Sequence, residues 1–102
     1  MSSYEEMRAK MIKQTRREIL TTLAIQYAME PMSFETVCSA LAHLELPGEQ
    51  PVMSDLTYLC ERGYVRWTNV RQMMPWRERM YRLTAKGKDV VDRIDVDPSL
   101  EP

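Results

Sequence analysis

Between Leu56 and Leu83 the sequence carries a run of local signals that few folds can accommodate. Leu56-xx-Leu59 has helical spacing, Gly63 stops it, and Tyr64-Val65-Arg66-Trp67 follows as an extended segment. An arginine-rich irregular stretch leads to Tyr81-Arg82-Leu83 and then Thr84-Ala85-Lys86-Gly87, with Thr84 placed to cap another helix. Val65 and Trp67 alternate with Arg66 and Thr68, and Tyr81 and Leu83 alternate with Met80 and Arg82. Each strand is therefore predicted to bury one face. Asn69 to Arg79, which includes Pro75, forms the hairpin tip.

Upstream, three helices are predicted. Ser2 and Ser3 precede Glu5 and Glu6 at capping-box spacing. Met7, Met11, Thr15, Ile19, Leu23 and Tyr27 then recur every fourth residue, with Ile12, Leu20, Ala24 and Ala28 beside them, as one face running to Pro31. The part before Thr15 reads either as an arm beyond the core or as a separate short helix. Ser33 caps a second helix, with Met32 and Val37 at staple spacing. Phe34, Val37, Cys38, Leu41 and Leu44 line its face, and Leu46-Pro47-Gly48 ends it. Gln50-Pro51 opens the third, which buries Val52, Leu56, Leu59 and Cys60. After the hairpin, Val90, Val91 and Ile94 face inward on a last helix.

This order predicts a mainly α fold with a small β-hairpin (α+β): a three-helix core, a two-stranded hairpin and a C-terminal helix. Residues 1–14 form a helical arm, 15–94 the domain, and 95–102 an acidic, frayed tail.

At 102 residues the chain is long enough for one modest core. Hydrophobic residues at 44% and charged residues at 28% fit a globular chain rather than a disordered one. No apolar run approaches the ~20 residues of a membrane helix. Glu5, Glu6, Arg8, Lys10 and Lys13 make the N-terminus too charged for a signal peptide, so a cytoplasmic protein is expected. Cys38 and Cys60 lie in apolar helical patterns without CxxC spacing, as reduced core thiols do. His43 is the only histidine and reads as a solvent-facing residue near a helix end. No metal cluster, glycine-rich phosphate loop or carboxylate pair at useful spacing is present, so neither an enzyme nor a cofactor is expected.

Charge is segregated along the chain. Residues 1–17 carry five basic and two acidic groups, residues 18–61 carry seven acidic groups and no Lys or Arg, and residues 62–93 carry nine basic and three acidic groups. A chain arranged this way can present a basic face despite a net charge of −1.

The combination Leu56-xx-Leu59-xxx-Gly63-Tyr64-Val65 and Tyr81-x-Leu83-Thr84-xx-Gly87 resembles the winged helix-turn-helix domains of bacterial and phage transcriptional regulators of the MarR, PadR and ArsR kind. That resemblance implies a third helix in the major groove of double-stranded DNA and a hairpin, the wing, on the backbone or minor groove. Carried over by position, the groove-facing residues are Gln50, Met53, Ser54, Asp55, Thr57 and Tyr58, with Arg62 at the helix end. Ser, Thr and Gln suit base edges. However, the helix has no Lys or Arg before Arg62, and Asp55 and Glu61 would face a polyanion.

On the wing, Arg66, Asn69, Arg71, Gln72, Arg77, Arg79 and Arg82 are candidate DNA contacts, opposed only by Glu78. Arg8, Lys10, Lys13, Arg16 and Arg17 could add a second backbone contact. The competing reading pairs these cations with the protein's own acidic helices in exposed bridges worth ~0–1 kcal/mol each.

Met73-Met74-Pro75-Trp76 puts an apolar cluster at the wing tip, either folded back on the wing's base or used as an interface. Met7, Met11 and Ile12 on the arm also need another surface, and a homodimer supplies one. Two functions follow: a small dimeric DNA-binding regulator, or a winged-helix protein-interaction module that reads no sequence. The acidic stretch 18–61 and the apolar wing tip favour the second.

Overall fold

The structure, a computed structural model, describes residues 3–27, 30–42, 49–69, 79–93, 97, 98 and 100. Helix α1 (Ser3–Ile25) is continuous, with Glu5 and Glu6 in its first turn at the positive end of the helix dipole. It ends short of Pro31, where Gln26 and Tyr27 turn back onto the carbonyls of Leu23 and Ala24. Its C-terminal half buries Thr15, Ile19, Leu20, Thr22 and Leu23, whereas every residue from 3 to 12 is exposed.

A two-residue strand β1 (Met32–Ser33) leads into α2 (Phe34–Ala42), which buries Phe34, Val37 and Leu41. The Ser33 hydroxyl accepts from the Thr36 amide at 3.2 Å, as a capping residue should. Helix α3 (Glu49–Glu61) is followed by β2 (Val65–Asn69), β3 (Arg79–Leu83) and α4 (Ala85–Val91). The sheet is antiparallel with order β1-β3-β2: Met32 pairs with Tyr81, and Val65 with Leu83. Sequence analysis expected two strands. The third has no alternation to detect, because its pairing partner lies far along the chain.

Glycine fixes the join between α3 and the hairpin. Gly63 has φ +80°, its amide donates to Cys60, and the Tyr64 amide donates to Leu59. This is a Schellman stop, and it needs a left-handed residue. Thr84 ties both ends of the hairpin together: its hydroxyl donates to the Gly63 carbonyl at 2.6 Å and accepts from the Gly87 amide at 3.1 Å. Gly87 lies so close to the Tyr64 carbonyl that no Cβ could fit there.

Ile19, Leu20, Leu23, Phe34, Val37, Leu41, Val52, Leu56, Leu59, Val65, Tyr81 and Leu83 form the core between the helices and the inner sheet face. Three residues of the tail are described. Asp97 and Leu100 are each only 3% exposed, so these two residues pack into the body instead of fraying.

Candidate nucleic-acid interface

The sides of α3 separate cleanly. Val52, Asp55, Leu56 and Leu59, at i, i+3, i+4 and i+7, face the core. Pro51, Ser54, Thr57 and Glu61 form the exposed stripe, which carries two hydroxyls, one carboxylate and no cation. Thr57 donates its proton to the Met53 carbonyl at 2.9 Å, leaving its oxygen lone pairs facing outward. Gln50 lies in the first turn of this helix.

Of the expected groove-facing residues, Asp55 is buried, and Met53 and Tyr58 are half-buried. Asp55 is 6% exposed, and its carboxylate accepts from Arg16 Nε at 3.1 Å. Arg16 lies over the Tyr58 ring, 3.7 Å from its centroid, so Tyr58 is half-buried. Met53 is also half-buried, with its sulfur near the Thr57 and Tyr81 hydroxyls. Asp55 therefore faces an arginine of α1 instead of a polyanion. Burial raises its pKa above the ordinary carboxylate value, and Arg16 offsets this only in part.

Both faces of the hairpin carry arginine. On the outer face, Arg66 stands directly opposite Arg82, and both are exposed. Such a pair concentrates positive charge at a small cost to the sheet. On the inner face Val65 is buried, but Trp67 remains 39% exposed, contrary to its expected burial. Arg79, diagonal to Trp67 across the strands, lies over the indole at 3.8 Å from its centroid. Its Nε is sealed from water without a hydrogen-bond partner.

A cleft of about 250 Å³ opens between α3 and this inner face, lined by Thr57, Cys60, Glu61, Trp67, Arg79 and Tyr81. Burial raises the Cys60 and Tyr81 pKa values, and Arg79 partly counters both shifts. Sequence analysis named Arg79 as a contact but missed Trp67 and Glu61 as its neighbours. The diagonal spacing across the hairpin was the signal available for the Arg79–Trp67 stack.

Arg62 lies just beyond α3, with its Nη2 donating to Asp97 at 2.9 Å, while the Tyr64 hydroxyl donates to the same carboxylate oxygen at 2.6 Å. Arg62 is thus tied to the tail at one nitrogen while its side chain remains exposed. Asn69 ends β2. Arg71, Gln72, Met73, Met74, Trp76 and Arg77 lie outside the described residues, as does His43.

On the arm, Tyr4 is 71%, Met7 62%, Met11 44% and Ile12 37% exposed. With Pro51 and Ser54 they line an open groove of about 680 Å³ beside the start of α3. Arg8 and Lys10 are exposed, and Arg17 is half-buried. Cys38 and Cys60 are not joined in a disulfide, and both are half-buried. Among the described residues, no group of three His, Cys, Asp or Glu side chains could hold a metal, and no helix is long and apolar enough to cross a membrane.

Three helices followed by a hairpin and a fourth helix, with the third helix exposed beside the hairpin, form a known arrangement. Bacillus subtilis PadR, solved in complex with operator DNA, superposes with a TM-score of 0.61 over 81% of this chain, at 21% sequence identity. The chain folds as a winged helix. It spans about half of the PadR chain, 48% of its length. A scan against protein-family models finds no match, and neither does a search of the curated proteins.

Proposed function

We propose that this winged helix is a small DNA-binding transcriptional regulator that acts as a homodimer. The carrying observation is the exposed Ser54–Thr57 stripe of α3, flanked by a hairpin with Arg66 and Arg82 on one face and Arg79 on the other. The stripe reads base edges with hydroxyls, and Gln50, in the first turn of α3, is a further candidate for the same role. Since α3 offers no exposed cation, the wing supplies the phosphate contacts through Arg66, Arg71, Arg77 and Arg79, and Asn69 and Gln72 are further candidates. Arg8, Lys10 and Lys13 on α1 add a second basic surface. In this reading residues 1–14 are an arm on a domain spanning 15–94. The likeness to a regulator solved on operator DNA supports the reading at the level of fold.

Fluorescence anisotropy of a random-sequence duplex, titrated at several salt concentrations, tests it. Binding with a negative log–log salt slope of several units is expected. An absence of binding even at low salt would overturn it.

A second reading, protein interaction without sequence-specific DNA binding, is favoured by the exposed Tyr4, Met7, Met11 and Ile12 on the arm. Met73, Met74 and Trp76 of the wing tip belong to the same proposal. Sedimentation of the Met7→Glu/Met11→Glu double variant separates the two. Loss of self-association with duplex affinity unchanged favours the interaction module, and loss of both together favours a dimeric DNA binder.

A further inference from the structure

A helix in one groove of a duplex and a hairpin in the next must straddle the sugar-phosphate strand between the grooves. In this protein the space between those two elements is the cleft bounded by Thr57, Cys60 and Glu61 on α3 and by Trp67, Arg79 and Tyr81 on the hairpin. We propose that this cleft is the seat for one backbone phosphodiester, with Arg79 as the donor that grips it and the Trp67 ring as the brace that aims the guanidinium. The proposal rests on the DNA-binding reading above and assigns a specific role to two residues within it.

Four observations converge. Among the described residues lining this cleft, Arg79 is the cation, so it is the partner they offer to an anion held there. Its guanidinium lies 3.8 Å from the indole centroid, and its Nε is sealed without a hydrogen bond. Part of the guanidinium also bonds the Tyr81 side chain, so the remaining Nη donors are the ones that can meet a ligand, in the planar geometry that suits a phosphate. Thr57 cannot take the donor role while its proton is given to the Met53 carbonyl, so it forms a wall of the cleft. Finally, Trp67 is 39% exposed although its position in the alternation belongs to the inner face. An indole left this open has a simple use as a rigid platform, because stacking fixes a long side chain before the ligand arrives and lowers the ordering cost on binding.

Glu61, exposed on the same wall, opposes an anion and sets the strength of the seat rather than its position. Arg66 and Arg82, on the outer face, belong to a different surface and serve as an internal control.

Salt-dependent anisotropy on one random duplex tests the seat with wild type, Arg79→Ala, Trp67→Leu, Trp67→Phe, the Arg79→Ala/Trp67→Leu double variant and Arg66→Ala, each first checked for a native circular-dichroism spectrum. Arg79→Ala is expected to weaken binding about tenfold and to flatten the salt slope by about 0.9. Trp67→Leu, which removes no charge, should flatten the slope similarly, while Trp67→Phe keeps it. The double variant should be no weaker than Arg79→Ala alone. Arg66→Ala should act additively with either. An unchanged slope in Trp67→Leu, or additive losses in the double variant, overturns the brace. Wild-type slope in Arg79→Ala overturns the seat while leaving DNA binding intact, and a wild type that binds no duplex overturns both readings. Inorganic phosphate replacing chloride at equal ionic strength should not compete selectively. Competition that vanishes in Arg79→Ala would assign the cleft to a free anion and overturn the backbone assignment.

Discussion

Two arginines in this protein stack on aromatic rings at nearly the same distance, Arg16 on Tyr58 at 3.7 Å and Arg79 on Trp67 at 3.8 Å. Their surroundings differ. Arg16 also gives its Nε to a buried carboxylate, Asp55, and so joins α1 to α3. Arg79 makes no such bond through its Nε, and the cleft beside it faces the exposed stripe of α3. The first stack is closed by a buried carboxylate, whereas the second is met within the protein by the neutral Tyr81 side chain, which leaves its charge uncompensated there. Stacking alone therefore does not separate a structural arginine from a functional one. Among the described residues, a buried carboxylate partner does.

The largest expected break in this comparison is Arg16→Ala. It strands the Asp55 carboxylate and should cost about 3 kcal/mol in chemical denaturation. Arg79→Ala should stay within about 1 kcal/mol of wild type in the same assay and show its effect in DNA binding instead. Equal stability losses in the two variants would remove the distinction.

Replacing the whole closed pair sharpens it further. Arg16→Met with Asp55→Leu should return to within about 1 kcal/mol of wild type, since the partners then no longer need desolvating as charges. A double variant as unstable as Arg16→Ala would mean that the pair contributes more than mutual neutralisation.

The pH dependence of stability tests the same pair. Burial raises the folded pKa of Asp55 above 3.8, so the folded state binds the extra proton in the window just above that value. Wild type should therefore lose stability relative to Asp55→Asn as pH rises through that window, as read from thermal melts across the acid range. A flat difference between the two proteins would mean that the Arg16 pairing fully offsets the desolvation. The smallest expected effect is at Glu61. Glu61→Gln should tighten duplex binding about twofold to threefold with no change in stability, because it removes one exposed repulsion beside Arg79.

Much of this arrangement was legible in the sequence, and the gaps have physical causes. Gly63 and Thr84 announced the α3 stop and the α4 cap because each makes local bonds. The helix faces followed from apolar spacing. Asp55 was misread because hydrophobic periodicity credits only apolar residues. Its position three after Val52 puts it on the core stripe, but the partner that makes this tolerable sits 39 residues earlier, on α1. β1 escaped notice because two residues carry no period. Asp97 was assigned to a frayed tail on composition, which does not register the Tyr64 hydroxyl and Arg62 that bond its carboxylate. For the candidate site, residue type picked out Ser54, Thr57 and Arg79. It did not show that Thr57 and Arg79 share a cleft, nor that Trp67 completes it, because this depends on how the hairpin sits on α3.

Tyr64 joins parts of the chain that reach their places at different times. Its amide bonds to Leu59 close by, its carbonyl accepts from Thr84, and its hydroxyl reaches Asp97, 33 residues further on. Helix ends form quickly, whereas each longer loop must be closed against its own entropy. The order of assembly should therefore run from the α3 stop, to the hairpin and α4, to the arrival of the tail. The contact from Asp97 to Arg62 and Tyr64 then forms last, on a join that Gly63 and Thr84 have already set.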